Sequence, residues 1–460
     1  MKFAFSPIVA AIGLLTFCQA APKRADEVQI DKVEIKYIDL DFTKGDAYSP
    51  LASSDSVTVK YTASAELGDV SVLKFQSGTT LKYENDDLAT IQLSQENPEN
   101  PAKGVVAIKF KNVPLVGAAD KHAQIRNILK KFTTDALVTS VLHGSANVVA
   151  KTSSGERLFN NLQVPPSQLP LKGMSGLTSV PLKVDSVKVV GGTADGIQID
   201  MASTLQNPSD IALNLGDVSF GVHFQEKNIG GLSLKALELK RGENKLTGRF
   251  VLNPKGDSAA AGEKALENFL EGITSDMLVV GSKDSTPIES LKDGLDTLRI
   301  PAAVPGVTEK LIRNATAVAS IDAIIDKKTN STVVLYNPID TAFTITHMKA
   351  NITYQNGPLG EVDQDTNMTI PSHQEQKSQI LETKLTAPDE VLIDILNNHP
   401  EGIEVDLDSV VTARIGDFVA RIPYKQKNVH LNFSTDPFNA QRKNQKKKAP
   451  SKAKPTRGSA

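Results

Sequence analysis

The sequence predicts a mainly β protein with one short helix per repeat: three tandem antiparallel β-sandwich domains, followed by a disordered basic C-terminal tail. Three observations carry this reading. The chain repeats itself. Leu205-Gln-Asn207-Pro208-Ser209 precedes a strand with Val218, Phe220, Val222 and Phe224 on one face. The same order returns 130 positions later (337 − 207 = 130), where Leu335-Tyr-Asn337-Pro338-Ile339 precedes Met348, Ala350, Ile352 and Tyr354. Self-similarity at this period means tandem small domains and not one large fold. Apolar residues also alternate with polar ones over short runs, the period of half-buried strands. Finally, 460 residues that are 40% hydrophobic have room for about three cores of ordinary size.

The first repeat is expected over residues 33–171. It opens with alternating strands at Val33, Ile35 and Tyr37, then at Val57, Val59 and Tyr61. Phe75, Leu81-Lys-Tyr83 and the run Val106, Ile108, Phe110 continue the pattern. Ile125, Ile128, Leu129 and Phe132 then switch to helical spacing. The second repeat, 181–300, has Ile197, Ile199 and Met201, the Asn207-Pro208 break, the Val218–Phe224 strand and Leu246 to Leu252. A helix follows on Ala265, Leu266, Phe269 and Leu270, and a last strand covers Met277 to Val280. The third repeat, 315–435, starts its helix at Pro388-Asp389-Glu390, proline and acids being favoured in a first turn. Leu158 to Pro165 and Leu295 to Pro301 read as proline-stiffened joints between repeats. The Asn-Pro pairs read as turns, because Asn satisfies nearby backbone groups and Pro fixes φ and ends pairing.

The ends have their own composition. Lys2, the apolar stretch Phe3 to Phe17 and Cys18-Gln-Ala20 read as a signal peptide over 1–20, with a single N-terminal signal anchor as the alternative. Either places the chain outside the cytosol, secreted, at the cell surface or in a vacuolar lumen. The only cysteine is Cys18, so a cleaved chain has no disulfide and each domain is stable through its core alone. The tail, 439–460, carries eight Lys or Arg and no acid between Arg442 and Arg457, leaving about −10 for the rest of a chain of net charge −2 (−2 − 8). An anionic surface is the partner expected for such a tail. No nucleic acid is expected.

Asn-x-Ser/Thr sites stand at Asn314, Asn330, Asn351, Asn367 and Asn432. Strand parity turns Asn351, Asn367 and Asn432 away from the apolar faces of their strands, as a glycan requires.

A strand ending in Leu-x-Asn-Pro, a paired strand with an apolar-Gly step (Ile229-Gly230, Leu359-Gly360) and a helix before the last strands together resemble the late-embryogenesis-abundant type 2 fold. The tandem arrangement is similar to fungal proteins of unknown function built from such repeats. The resemblance covers residues 30–435, although the first repeat has Ala65-Glu-Leu67-Gly68 where the others have Asn-Pro. It implies repeats held outside the cytosol and an apolar groove between sheet and helix, with lipid or a membrane surface as the partner. The groove candidates are Val218, Phe220, Val222, Phe224, Met348, Ile352 and Tyr354. Ordinary sandwich core is the competing reading of the same residues.

No chemistry is expected. The seven histidines are scattered. Asp363-x-Asp365-x-Asn367 begins like a calcium loop but then has Met368 where Gly is required and Gln374 where a carboxylate is required. No catalytic residue, metal site or cofactor is assigned. The expected function is a non-enzymatic binder of lipid or another apolar ligand, with a structural or adhesion module as the alternative.

Overall fold

The computed structural model describes residues 27–434. The expected signal peptide and basic tail lie outside these residues. The protein is mainly β with short helices, and its sheets close on themselves into barrel-like rounds.

The first round contains β1 (Val28–Ile35), β2 (Ile38–Asp46), β3 (Ser49–Ala63), β4 (Ser71–Tyr83), β5 (Asp86–Glu96), β6 (Glu99–Ala102), β7 (Val105–Gly117), α1 (His122–Thr134), β8 (Leu137–Thr152) and β9 (Gly155–Lys172). The second contains β10 (Leu182–Thr193), β11 (Gly196–Asn207), β12 (Ile211–Phe224), β13 (Lys227–Leu239), β14 (Gly242–Leu252), α2 (Ala259–Glu271), β15 (Ser275–Val280), α3 (Lys292–Leu295) and β16 (Arg299–Val304). The third contains β17 (Ile312–Val318), α4 (Ile321–Ile325), β18 (Lys328–Tyr336), β19 (Phe343–Tyr354), β20 (Gly357–Ile370), β21 (Glu375–Lys377), β22 (Leu381–Leu385), α5 (Asp389–Asn398), β23 (Ile403–Ile415) and β24 (Phe418–Ser434).

The chain divides into two compact units. Of the described residues, the first holds 27–36, 53–115 and 140–169. Its strands lie in the order β1-β3-β7-β5-β4-β8-β9. Val33 N–H donates to Ser167 Oγ at 3.1 Å, so a side chain joins the first strand to the last. Where the later rounds have Asn-Pro, residues 65–67 form a single 3-10 turn closed by Gly68 at φ +66°, a conformation that favours glycine. Tyr61, Phe75 and Phe159 fill the interior and leave a void of only about 10 Å³.

The second unit holds residues 37–52, 116–139 and, of the described residues, 170–434. It contains two closed rings, the second and third of the chain. The second ring runs β13-β14-β11-β10-β16-β15-β12 and back to β13. The third ring runs β20-β22-β18-β17-β24-β23-β19 and back to β20. Strand for strand these are one topology, the order also seen in the first unit. In each ring the first and last strands are parallel, with Leu182 opposite Ala302 and Ala315 opposite Leu431. The sheet twist of so few strands allows closure, and closure removes the edges an open sandwich would expose.

Alternation drives the assembly. Val218, Phe220, Val222 and Phe224 are all buried, while Asp217 and Ser219 face out. A two-residue slip would keep that face, but a one-residue slip would put every one of these side chains in water. β2 extends the ring from outside, running parallel to β12 from Ile38 opposite Ile211 to Asp41 opposite Asn214. α1 packs on α3, with Arg126 Nε 3.4 Å from Asp293 Oδ2 and Arg126 Nη1 donating to the Tyr48 hydroxyl at 2.7 Å.

Two segments read as interdomain joints are strands. Pro165 lies within β9, and Pro301 within β16 opposite Leu278. Each apolar–Pro run leads into the last strand of its round, where alternation and a proline without an N–H are both compatible with pairing on one side. The contact from the second ring to the third is made elsewhere. α2 lies against β24, where Arg421 pairs with Glu263, and Lys425 N–H donates to Glu271 Oε1 at 2.8 Å. Beside it, two hairpin tips meet through glycines: a Cβ on Gly416 would stand 2.2 Å from the Gly192 carbonyl oxygen.

Candidate functional site: two apolar cavities

The second ring is hollow. Its interior holds a cavity of about 120 Å³. Interiors pack as densely as organic crystals, with few voids larger than a water, so this volume is far outside ordinary packing. An engineered apolar cavity of roughly 150 Å³ stays dry and admits benzene, which sets the scale.

The wall is built from every strand of the ring. Ile199 and Met201 of β11, Phe220 and Val222 of β12, Leu232 and Leu234 of β13 and Phe250 of β14 point inward by strand parity. α2 contributes Ala265, Leu266 and Phe269, one face of a helix at i, i+1 and i+4. α1 and α3 seal the flank where β15 is too short to reach, with Leu129, Thr133 and Leu295. The only hydroxyls in the wall are Thr133, Ser203 and Ser275. Thr133 donates to the Leu129 carbonyl at 3.0 Å, and Ser275 accepts from Asn268 Nδ2 at 3.1 Å. No charged side chain lines the space. It can hold hydrocarbon and has no group to neutralise a charge.

The third ring holds a smaller cavity of about 80 Å³. Ile352, Leu359, Leu392, Ile395, Leu396 and Phe433 form its apolar wall, beneath α4 and α5. Unlike the first, it carries a cluster of hydroxyls from Thr329, Ser331 and Thr383.

The candidate groove residues divide. Phe220 and Val222 line the larger cavity and Ile352 the smaller. Val218, Phe224 and Met348 are buried without lining either, and Tyr354 is half-buried beside His399. Both cavities lie between the strands of a ring and its helices: α2 with α1 and α3 in the second ring, α4 and α5 in the third. Sequence reasoning missed Leu232, Leu234 and Phe250, whose alternation was visible. It also missed Leu129 and Leu295, which come from segments with no local sign of convergence.

Asn314, Asn351 and Asn367 are exposed, whereas Asn330 and Asn432 are half-buried. Asn432 stands on the opposite parity to the cavity-lining Leu431 and Phe433, and the parallel β17–β24 pairing brings a second backbone beside it. Its Nδ2 donates to the Ala315 carbonyl at 3.2 Å. Asp363 and Asp365 flank His347 on an exposed strand face, at 3.1 and 2.8 Å. Among the described residues no three His, Cys, Asp or Glu side chains gather as metal ligands. His223, between two buried residues of β12, has its pKa held below the ordinary value of 6.5 by burial and by the nearby Arg299.

A family model described as a protein of unknown function, DUF3712, matches residues 129–222. No curated protein matches. Among solved structures, a protein from Archaeoglobus fulgidus is 12% identical over 25% of this chain and 93% of its own, with a TM-score of 0.18. The BSP domain of a biofilm-associated protein is 11% identical over 90% of this chain and 68% of its own, with a TM-score of 0.17. Red sea bream transglutaminase is 11% identical over 63% of this chain and 38% of its own, with a TM-score of 0.21. At TM-scores this low the likenesses carry no argument. Among the described residues no helix is long and apolar enough to cross a membrane.

Proposed function

We propose that this chain is a non-enzymatic binder of apolar ligands, which it encloses in the second ring of strands. The observation that carries the reading is a contrast within one molecule. The same strand order leaves about 10 Å³ in the first unit and about 120 Å³ in the second ring. Topology therefore does not impose the emptiness; the choice of side chains does. An empty apolar wall costs stability through lost dispersion contacts, and a ligand that restores them is the physical reason to keep it. The absence of charge in the wall fits a hydrocarbon chain or ring and not an ionised headgroup. Kinship with tandem late-embryogenesis-abundant type 2 repeats, a secretory route and glycans on exposed strand faces belong to the same reading.

The test uses the absence of Trp from the chain. Leu266→Trp places a single indole in the cavity wall, and a brominated alkane should quench it at stoichiometric ratio. The full chain purified from a eukaryotic secretory host should also yield extractable lipid. An unquenched indole in a folded variant, with no lipid extracted, would leave the structural or adhesion reading in its place.

A further inference from the structure

We infer that the third ring is a second, independent ligand site, selective for an apolar molecule that carries a hydroxyl group. This rests on the reading that hollow rings of this chain take apolar ligands, and adds a chemical distinction between the two.

The distinction comes from the wall. On β18 and β22, Thr329 stands opposite Thr383, and Ser331 lies two residues along on the same face as Thr329. Thr329 donates its proton to the Val318 carbonyl at 2.6 Å. Ser331 and Thr383 share one proton at 2.7 Å, and Ser331 also reaches the Leu381 carbonyl at 3.4 Å. With Ser331 donating to the Leu381 carbonyl and Thr383 to Ser331, the protons of these three hydroxyls go to protein oxygens. Each oxygen keeps acceptor capacity, since a hydroxyl has one proton but two lone pairs. A fourth hydroxyl, Ser320, accepts from Ala323 N–H at the start of α4. The cluster thus presents acceptors to an apolar space with no cation in its wall. What satisfies it is a neutral donor: the O–H of an alcohol whose apolar part is small enough for about 80 Å³. An alkane leaves those acceptors dry, and an ether of equal length brings no proton to them.

The first cavity offers no such cluster. Its three hydroxyls, Thr133, Ser203 and Ser275, come from α1, β11 and β15, and Ser275 and Thr133 are already paired locally. The two sites should therefore rank the same pair of ligands differently.

The experiment uses two single-Trp variants of the full chain, Leu266→Trp for the second ring and Leu396→Trp for the third, each titrated with a bromoalkane and with the bromoalcohol of equal length. In Leu396→Trp the alcohol should quench at roughly fivefold lower concentration, about what one neutral hydrogen bond supplies. The double substitution Ser331→Ala, Thr383→Val should erase that preference without abolishing quenching. Leu266→Trp should quench equally with both. Should Leu396→Trp unfold its ring, Ile324→Trp reports the same wall from α4. Equal quenching by both ligands in the third ring, or none there while Leu266→Trp is quenched, overturns this inference and leaves the proposed function standing. No quenching in either ring overturns both.

Discussion

Asn207 and Asn337 make the same buried bond in successive rounds. Asn207 Nδ2 donates to the carbonyl of Ile211 at 2.9 Å, and Asn337 Nδ2 to that of Thr341 at 2.8 Å, each four residues ahead. Each Oδ1 accepts from the backbone N–H two residues ahead, of Ser209 at 3.1 Å and Ile339 at 2.9 Å. Both side chains are almost wholly shielded, at 2% and 0% exposure. The Asn carries the backbone groups that the chain cannot pair while it turns a corner of the ring inside protein.

Asn207→Ala and Asn337→Ala should each therefore destabilise by about 2–4 kcal/mol, through the loss of three hydrogen bonds and the desolvation of the groups left behind. Pro208→Ala, at an exposed position, should cost less than about 1 kcal/mol. Urea unfolding midpoints check the contrast. Equal losses would place the role in the proline.

Ala265→Leu should separate stability from function. Ala265 is buried on α2 and faces the larger cavity. Added methyl groups would occupy empty space and stabilise the unliganded chain by about 1 kcal/mol, while weakening apolar ligand uptake. Thermal melting and dye displacement should move in opposite directions.

His223 makes the second ring sensitive to acid. Its pKa is lowered in the fold by burial and by Arg299, so below the ordinary value the unfolded chain binds more protons than the folded one. The stability it supports is fully present above about pH 6.5 and is lost as pH falls through that value toward the lower folded pKa. His223→Gln should flatten the loss as pH falls below about 6.5, measured by melting at each pH. A parallel loss in both proteins would assign the effect to other groups.

Glycan occupancy should follow exposure. Expressed in a glycosylating host, Asn351 and Asn367 should carry glycan, because their side chains stand free of the sheet. Asn432 should not, since its amide nitrogen is bonded to Ala315. Peptide mapping by mass spectrometry decides, and full occupancy of Asn432 would mean that the sugar is added before this bond forms.

Much of the fold was legible from alternation. The Val218–Phe224 face, the helix on Ala265 and Phe269, and the 130-residue period between Asn207 and Asn337 all appear in the structure. Ring closure was not legible. It depends on β10 meeting β16 in parallel, a pairing between segments whose local patterns are the same as those of any strand. The cavity was half legible for a related reason: Phe220 looks identical whether the space in front of it is filled or empty. What decides is the side chain opposite, and opposition is a property of the closed ring. Leu129 and Thr133 show the limit, since their helix has ordinary apolar spacing and nothing local marks them as wall.

The seam of the second ring also bears on how the chain is made. β10 meets β16 only over Leu182 and Lys183 against Ala302 and Ala303, so the bond that closes the ring joins residues 120 positions apart (302 − 182 = 120). During synthesis β10 waits, with one edge unpaired, until the last strand of its round has emerged. Such a delay is slow on entropic grounds and leaves a sticky intermediate. Cys18, which lies before the first strand, is the only cysteine, so no covalent tie can hold the partial round together. A chain stopped before Arg299 would not be a smaller barrel but an open sheet offering its edge to the next copy.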